Sequence, residues 1–337
     1  DGIRDSVASR GLGDVYKRQA LWSIDAELIE LFSQSENTVF KIKDRAGKHY
    51  ALRVHRPGYH TRAELESEQQ WTEFLSKSGI AVPTAVKSKD GRYYEKVPVA
   101  GTEETRQIGI VDWVAGRPLS EILRDDPSQT RIRSTFRTLG SLMANFHLAS
   151  KSWKPSLRFV RHSWDTEGFV GEKPFWGKFW ELGASDKETR QRLVKIKNQI
   201  KNLLSDLPQD TNCFGMIHAD MHLDNVLKDG DRLNVIDFDD AGYGWHAFDL
   251  AVGVYNLLLN SKTRTHFELA RSAMAEGYLE VRPDSEYFVA MVPLFLLIRS
   301  LVTLKWIEDR PEVGHGDMIP KLIELAFDQA RGLSLEF

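Results

Sequence analysis

The stretch IHADMHLDNVLKDGDRLNVIDFDD, Ile217 to Asp240, crowds aspartates and two histidines between short apolar runs. Charge this dense beside core-like sequence needs a chemical reason. NVL and LNVID read as two short strands, with KDGDR between them as a hairpin turn carrying Gly. The loop His218–Asn225 precedes the first strand, and Asp237 ends the second. A hairpin of this kind brings Asn225 and Asp237 to one edge. An Asn carbonyl and a carboxylate are hard oxygen donors that suit Mg2+, which usually takes one or two protein carboxylates plus substrate phosphates. Asp220 lies on the same loop, where a carboxylate can accept a proton from a hydroxyl. His218-x-Asp220-x4-Asn225 followed by a strand-end Asp237 is the order in which phosphoryl transfer is assembled: one Asp orients the attacking hydroxyl, and an Asn and a second Asp hold magnesium.

The rest of the composition bounds this reading. The chain has 337 residues, 42% apolar and 28% charged, ordinary for a globular protein of about two domains. The net charge of −3 lacks the basic excess of a nucleic-acid binder, so no nucleic-acid partner is expected. A single cysteine, Cys213, excludes an internal disulfide framework and a Cys-rich zinc site, and fits a reducing cytoplasm. No apolar run reaches the ~18 residues that span a bilayer, so no membrane partner is expected either. The longest run, FVAMVPLFLLI (Phe288 to Ile298), lies between Glu286 and Arg299 and reads as a buried helix.

Residues 1–19 show no apolar period and read as a non-native or disordered leader. From Ala20 to about Lys87 the pattern predicts a short helix, a hairpin over Thr38–Lys43 and Lys48–Val54, and a helix over Thr61–Gly79. AVPTAVKS, RYYEKVPV and RQIGIVDWVAGRPL read as further strands. Beyond them helical patterns dominate: Phe136–Ser150, Lys187–Leu204, Ala247–Leu259, Arg264–Tyr278, Ser285–Glu308 and Asp317–Arg331. The expected class is α+β, with a strand-rich lobe over residues 20–114 and a helical lobe over 115–337.

HADMHLDN together with VIDFDD resembles the catalytic signature of the aminoglycoside phosphotransferase and choline kinase family, and within it the stress-response kinase and type II homoserine kinase branch. The resemblance implies a protein-kinase-like fold: a small N-terminal antiparallel-sheet lobe and a large, mainly helical C-terminal lobe. It further implies ATP and Mg2+ as cofactors. Asp220 would be the catalytic base, Asn225 and Asp237 the metal ligands, and His218 a loop buttress. Asp249, in AFDLA, matches a family Asp that pins the catalytic loop. Asp239 sits where some members carry a second acid, as a metal contact or a loop cap.

In the strand YALRV, side chains alternate, so Ala51 and Arg53 share one face. A small residue there packs on adenine while a cation two positions on reaches phosphate. Protein kinases show Ala-x-Lys; this chain departs with Arg53, a planar fork instead of a point charge. Glu68 on the next helix is the natural ion-pair partner, with Glu64 as rival. The loop Phe32–Phe40 carries Ser35 and Asn37 where a phosphate-covering turn belongs, without a Gly triplet. IVDWVAG resembles the hinge, whose backbone from Asp112 to Val114 would hold adenine.

For the acceptor, RHSWDTEGFVGEKPFWGKFWE offers Arg161 and Trp164, and Arg299 sits on an apolar helix where it needs a carboxylate partner, from the catalytic region or from substrate. The partners expected are a nucleotide and a hydroxyl-bearing acceptor, either a small amino alcohol or amino acid or a protein Ser/Thr. Two other classes fit parts of the pattern: a metal-dependent hydrolase built on His218, Asp220 and His222 with His246, and a catalytically silent nucleotide-binding scaffold.

Overall fold

The computed structural model describes residues 18–34, 37–99, 103–259 and 263–337. The reading of Ser35 as a phosphate contact, and nearly all of the leader over residues 1–19, therefore fall outside the described residues. Chain contacts divide the protein into two units: residues up to Gly116 with Lys154–Val160, and Arg117–Trp153 with Arg161–Phe337.

The first unit is an antiparallel sheet. Its strands are β1 (Ala26–Gln34), β2 (Thr38–Asp44), β3 (His49–Val54), β4 (Ala85–Val86), β5 (Tyr94–Pro98) and β6 (Thr105–Asp112), in the order β1-β2-β3-β6-β4 with β5 also paired to β6. The short helix expected after Ala20 is corrected. A single 3-10 turn at Gln19–Leu21 is followed by β1, which pairs with β2 across two register irregularities. AELIEL has helix formers, but pairing to the alternating TVFKIK strand overrides that weak local preference. Phe40, Ile42, Leu52, Ile108 and Ile110 close over Trp22 in the core. The helix Arg62–Lys77 opens on a capping box, Thr61 with Glu64, and buries Leu65, Trp71 and Leu75. The segment Lys154–Val160 belongs to this unit through Ser156 donating to Gln70 Oε1 (2.8 Å) and the Val160 amide donating to Ser67 Oγ (2.9 Å).

The second unit is mainly helical. Helices Gln129–Ser152 and Phe267–Val281 cross at close range, because a Cβ on Gly140 would lie 2.0 Å from the Met274 carbonyl and one on Gly277 1.9 Å from the Arg137 carbonyl. Two small sheets carry the loops of interest. One orders β11 (Arg232–Val235), β10 (Val226–Asp229) and β7 (Arg117–Pro118); the other orders β8 (Ser163–Trp164), β12 (Gly242–Trp245) and β9 (Phe214–Ile217). The run read as one helix over Ser285–Glu308 is two, Glu286–Ala290 and Val292–Glu308, bent by 47°. Pro293 sits in the first turn of the second, where its missing N–H costs nothing. Among the described residues no single helix is long and apolar enough to cross a membrane.

Candidate active site

β9 ends at Ile217 and β12 begins at Gly242, and these two residues pair directly. The loop leaving β9 (218–225) and the loop entering β12 (236–241) therefore start from neighbouring strands. The β10–β11 hairpin joins them, and the Ile236 amide donates to the Asn225 carbonyl at 3.0 Å.

The first loop is held in an unusual shape. Ala219 has φ +63°, in the left-handed region that non-glycine residues avoid. Asp249, from the helix His246–Leu259, compensates. Its Oδ1 accepts the Ala219 amide at 2.6 Å and its Oδ2 the His218 amide at 3.1 Å. His147 Nε2 meets the same Oδ2 at 3.0 Å, and its Nδ1 meets the Tyr278 hydroxyl at 2.9 Å. Arg282 donates to that hydroxyl at 2.6 Å, so the hydroxyl proton goes to His147 Nδ1 and His147 donates from Nε2 to Asp249. Burial pushes the Asp249 carboxyl up to about 6, against the pull of His218 and the two amides. His218 spends both ring nitrogens on backbone: Nδ1 accepts the Asp220 amide at 3.2 Å and Nε2 faces the Ile236 carbonyl at 3.0 Å.

Asp220 is the centre of this loop. Arg299 Nη2 lies 2.8 Å from its Oδ1, Asn225 Nδ2 3.1 Å from its Oδ2, and His222 Nε2 3.3 Å from the same oxygen. Burial raises the carboxyl, but His222, Arg299 and His218 outweigh it and hold the group well below the ordinary carboxylate range. Asn225 also donates to the Asp220 carbonyl at 3.0 Å, so its amide nitrogen is committed, and its Oδ1 meets no donor among the described residues.

Asp237 opens the second loop with φ +65°, a conformation Asp tolerates better than most residues, and it is exposed. Arg161 ties this loop: Nε donates to the Ala241 carbonyl (2.6 Å) and Nη2 to the carbonyls of Phe238 (2.9 Å) and Asp239 (2.5 Å). Trp164 Nε1 donates to the Asp240 carbonyl at 2.8 Å, and its ring is wholly buried. Both residues were expected toward the acceptor. In the structure both side chains bond the backbone carbonyls of this loop, and the Trp164 ring is fully buried. The Asp239 side chain is buried.

In the first unit, Arg53 Nη1 lies 3.3 Å from Glu68 Oε1, with side-chain exposures of 15% and 2%. Glu64 is occupied in the capping box, which settles the rivalry. Ala51 lies between Lys41 and Val111 in the sheet. Asn37 is buried and its Oδ1 accepts the Arg56 amide at 3.1 Å, a contact that shapes the strand end. The Asp112 and Trp113 amides are committed to the carbonyls of Thr84 (2.8 Å) and His49 (3.0 Å), and Lys48 pairs with the Asp112 carboxylate at 2.7 Å. The Val114 amide, by contrast, meets no partner among the described residues.

Residues 27–284 match the model of the APH phosphotransferase enzyme family. The chain belongs to that family. Amicoumacin kinase of Bacillus subtilis (strain 168) is 24% identical over 297 residues, covering 84% of this chain and 80% of the relative. Homoserine kinase of Methylobacillus flagellatus is 25% identical over 233 residues, covering 66% and 62%. The solved microcompartment-associated aminopropanol kinase superposes with a TM-score of 0.78 at 26% identity, over 94% of this chain and 95% of that one. The chain is thus a phosphotransferase with a kinase-like fold, an antiparallel-sheet N-terminal lobe and a mainly helical C-terminal lobe.

For this phosphotransferase the hydrolase alternative loses a ligand, because both ring nitrogens of His218 are committed to backbone. His246 stacks on His147 (4.1 Å between centroids) with Nδ1 against Arg282 at 3.0 Å. Sequence reasoning missed His147, Tyr278 and Arg282, which extend the support of Asp249. The available signal was a His between Phe146 and Leu148 on the buried face of an amphipathic helix, where it must find a polar partner.

Proposed function

We propose that the chain is an ATP- and Mg2+-dependent kinase that moves the γ-phosphoryl group to a hydroxyl of a small amino-alcohol or amino-acid acceptor. The observation that carries this reading is the Asp220 carboxylate, kept ionised and gripped by Arg299, His222 and Asn225 on a loop pinned by Asp249. Family membership supports the chemistry, and the names of the relatives, kinases of amicoumacin, homoserine and aminopropanol, support a small acceptor over a protein Ser/Thr.

In this reading Asp220 orients the acceptor hydroxyl and takes its proton as the acceptor O–P bond forms and the bond from the γ-phosphorus to the β,γ-bridging oxygen breaks, ADP carrying away the electron pair. Arg53, held by Glu68, would steady the donor phosphates, and the unpartnered Val114 amide with Ala51 would receive adenine. The donor set fits magnesium: the Asn225 Oδ1 and the exposed Asp237 carboxylate are hard oxygens. Bound there, the ion supplies charge neutralisation on the phosphate oxygens. His218, Asp249, Arg161 and Trp164 would act only by fixing the two loops.

The test is phosphotransfer from Mg·ATP to L-homoserine, 1-amino-2-propanol and a panel of related amino alcohols, wild type against Asp220→Asn. A phosphorylated product that is lost in the variant is the expected result. A wild-type chain that consumes no ATP with any acceptor, or an Asp220→Asn variant as active as wild type, sinks the reading.

A further inference from the structure

We propose that Arg299 is a positioning residue for phosphoryl transfer, fixing the Asp220 carboxylate in a single rotamer so that one lone pair is left for the acceptor hydroxyl. This rests on the kinase reading above and assigns a role outside the two catalytic loops, on the helix Val292–Glu308.

The geometry is that of a clamp. Nη2 takes Asp220 Oδ1 at 2.8 Å, and Nη1 reaches the preceding carbonyl, Ala219 O, at 3.4 Å. One guanidinium thus holds both the side chain of Asp220 and the backbone turn that presents it. Opposite, Asn225 and His222 bound Oδ2. A carboxylate has about four lone-pair sites. Three donors occupy three of them, which blocks rotation about the Cβ–Cγ bond and leaves the fourth.

The clamp is itself immobilised. The guanidinium lies 4.7 Å from the Trp176 ring centroid and 5.9 Å from that of Tyr255. The side chain is 11% exposed, and its buried Nε meets no acceptor among the described residues. The two terminal nitrogens face residues 219 and 220. The helix that carries Arg299 is buried along most of its length, so the clamp stands on a rigid element. A lysine would restore the charge but not the planar fork that reaches two acceptors.

Arg299→Gln and Arg299→Lys separate this role from packing and from acceptor binding. With Mg·ATP and whichever of L-homoserine and 1-amino-2-propanol the wild type phosphorylates faster (or water, read as ATP hydrolysis, if it phosphorylates neither), Arg299→Gln should lower kcat on the order of 10- to 100-fold, since small misplacement of a reacting group has that effect. KM for ATP and acceptor should stay within about twofold. Arg299→Lys should recover part of kcat while melting like wild type, and it carries the test alone if the Gln variant fails to fold. Arg299→Lys with full kcat, Arg299→Gln with full kcat, or a rise in acceptor KM with kcat intact would each overturn the proposal, the last by making Arg299 a substrate contact. A wild type that neither transfers phosphate nor hydrolyses ATP removes the kinase reading first, and the proposal with it.

Discussion

Asp249 Oδ1 holds the amide of Ala219 at 2.6 Å, 30 residues back along the chain, and so stabilises a backbone turn with φ +63° that alanine disfavours. The His218 amide and His147 share the other oxygen of the same carboxylate. Asp249→Ala leaves three buried donors without an acceptor. At about 1–3 kcal/mol for each unsatisfied group, the expected loss is about 3 kcal/mol or more, read by urea denaturation. Ala219→Gly should behave in the opposite way. Glycine normally weakens a structure, but here it relieves a left-handed strain of about 1–2 kcal/mol, so the midpoint should hold or rise. A clear fall in the glycine variant would show that the turn is not strained.

Arg53 and Glu68 form a nearly dry ion pair, with side-chain exposures of 15% and 2%. Removing one partner of a buried ion pair costs about 3–5 kcal/mol, whereas replacing both by apolar residues of similar size is far milder. Glu68→Met alone should therefore destabilise more than Arg53→Met with Glu68→Met. Phosphotransfer should be lost in both if Arg53 handles the donor phosphates. Equal stability of the single and double variants, measured by denaturation, would contradict the pairing energetics.

Asn225 and Asp237 are proposed to share magnesium. Asp237→Ala should raise the magnesium concentration needed for half-maximal rate by on the order of tenfold or more, because one of few hard ligands is gone. Chelation by EDTA should abolish turnover of the wild type. An unchanged magnesium curve in the Asp237 variant would remove that residue from the metal set.

Buried histidines set the acid side of stability. Burial pushes His147, His218 and His246 below their ordinary 6.5, so the fold keeps them neutral. The unfolded chain binds those protons as pH falls through 6.5, and stability is lost there at about 1.4 kcal/mol per pH unit for each group. Two groups oppose this. His222 is lowered by burial but raised further by Asp220 and Asp224, so its contribution grows as pH falls toward 6.5 and is fully present below it. Asp249, pushed up to about 6 by burial, binds a proton in the fold before its ordinary 3.8. The three depressed histidines outnumber the opposing groups, so on balance stability falls with pH between 6.5 and 5.5. Urea midpoints across that window should fall with pH, and His147→Gln should flatten the slope. A rising midpoint would mean that the three histidines are protonated in the fold.

Much of the candidate site was legible in one stretch of sequence because its parts are local. The spacing from His218 through Asp220 to Asn225, and the hairpin that returns Asp237, are matters of neighbouring residues and a turn. Arg53 with Glu68 was legible because a strand face and the helix that follows it constrain each other over 15 residues. The β1 strand was not legible: its composition favours a helix, and only pairing with β2 decides otherwise. The loop contacts of Trp164 and Arg161 were not legible for a related reason. Aromatic and cationic residues serve a ligand pocket and a carbonyl-rich loop equally well, and burial alone distinguishes the two.

From residue order alone came the class of chemistry, the lobe-like split of strands before helices, and the identity of Asp220, Asn225 and Asp237 as candidates. Only the tertiary structure decided what grips them: Arg299 reaches Asp220 across 79 residues, and His147 reaches Asp249 across 102. Such contacts leave no periodic trace in the chain. They are selected when the polar groups of a closing core must each find a partner, and that requirement acts on distances in space, not on distances along the sequence.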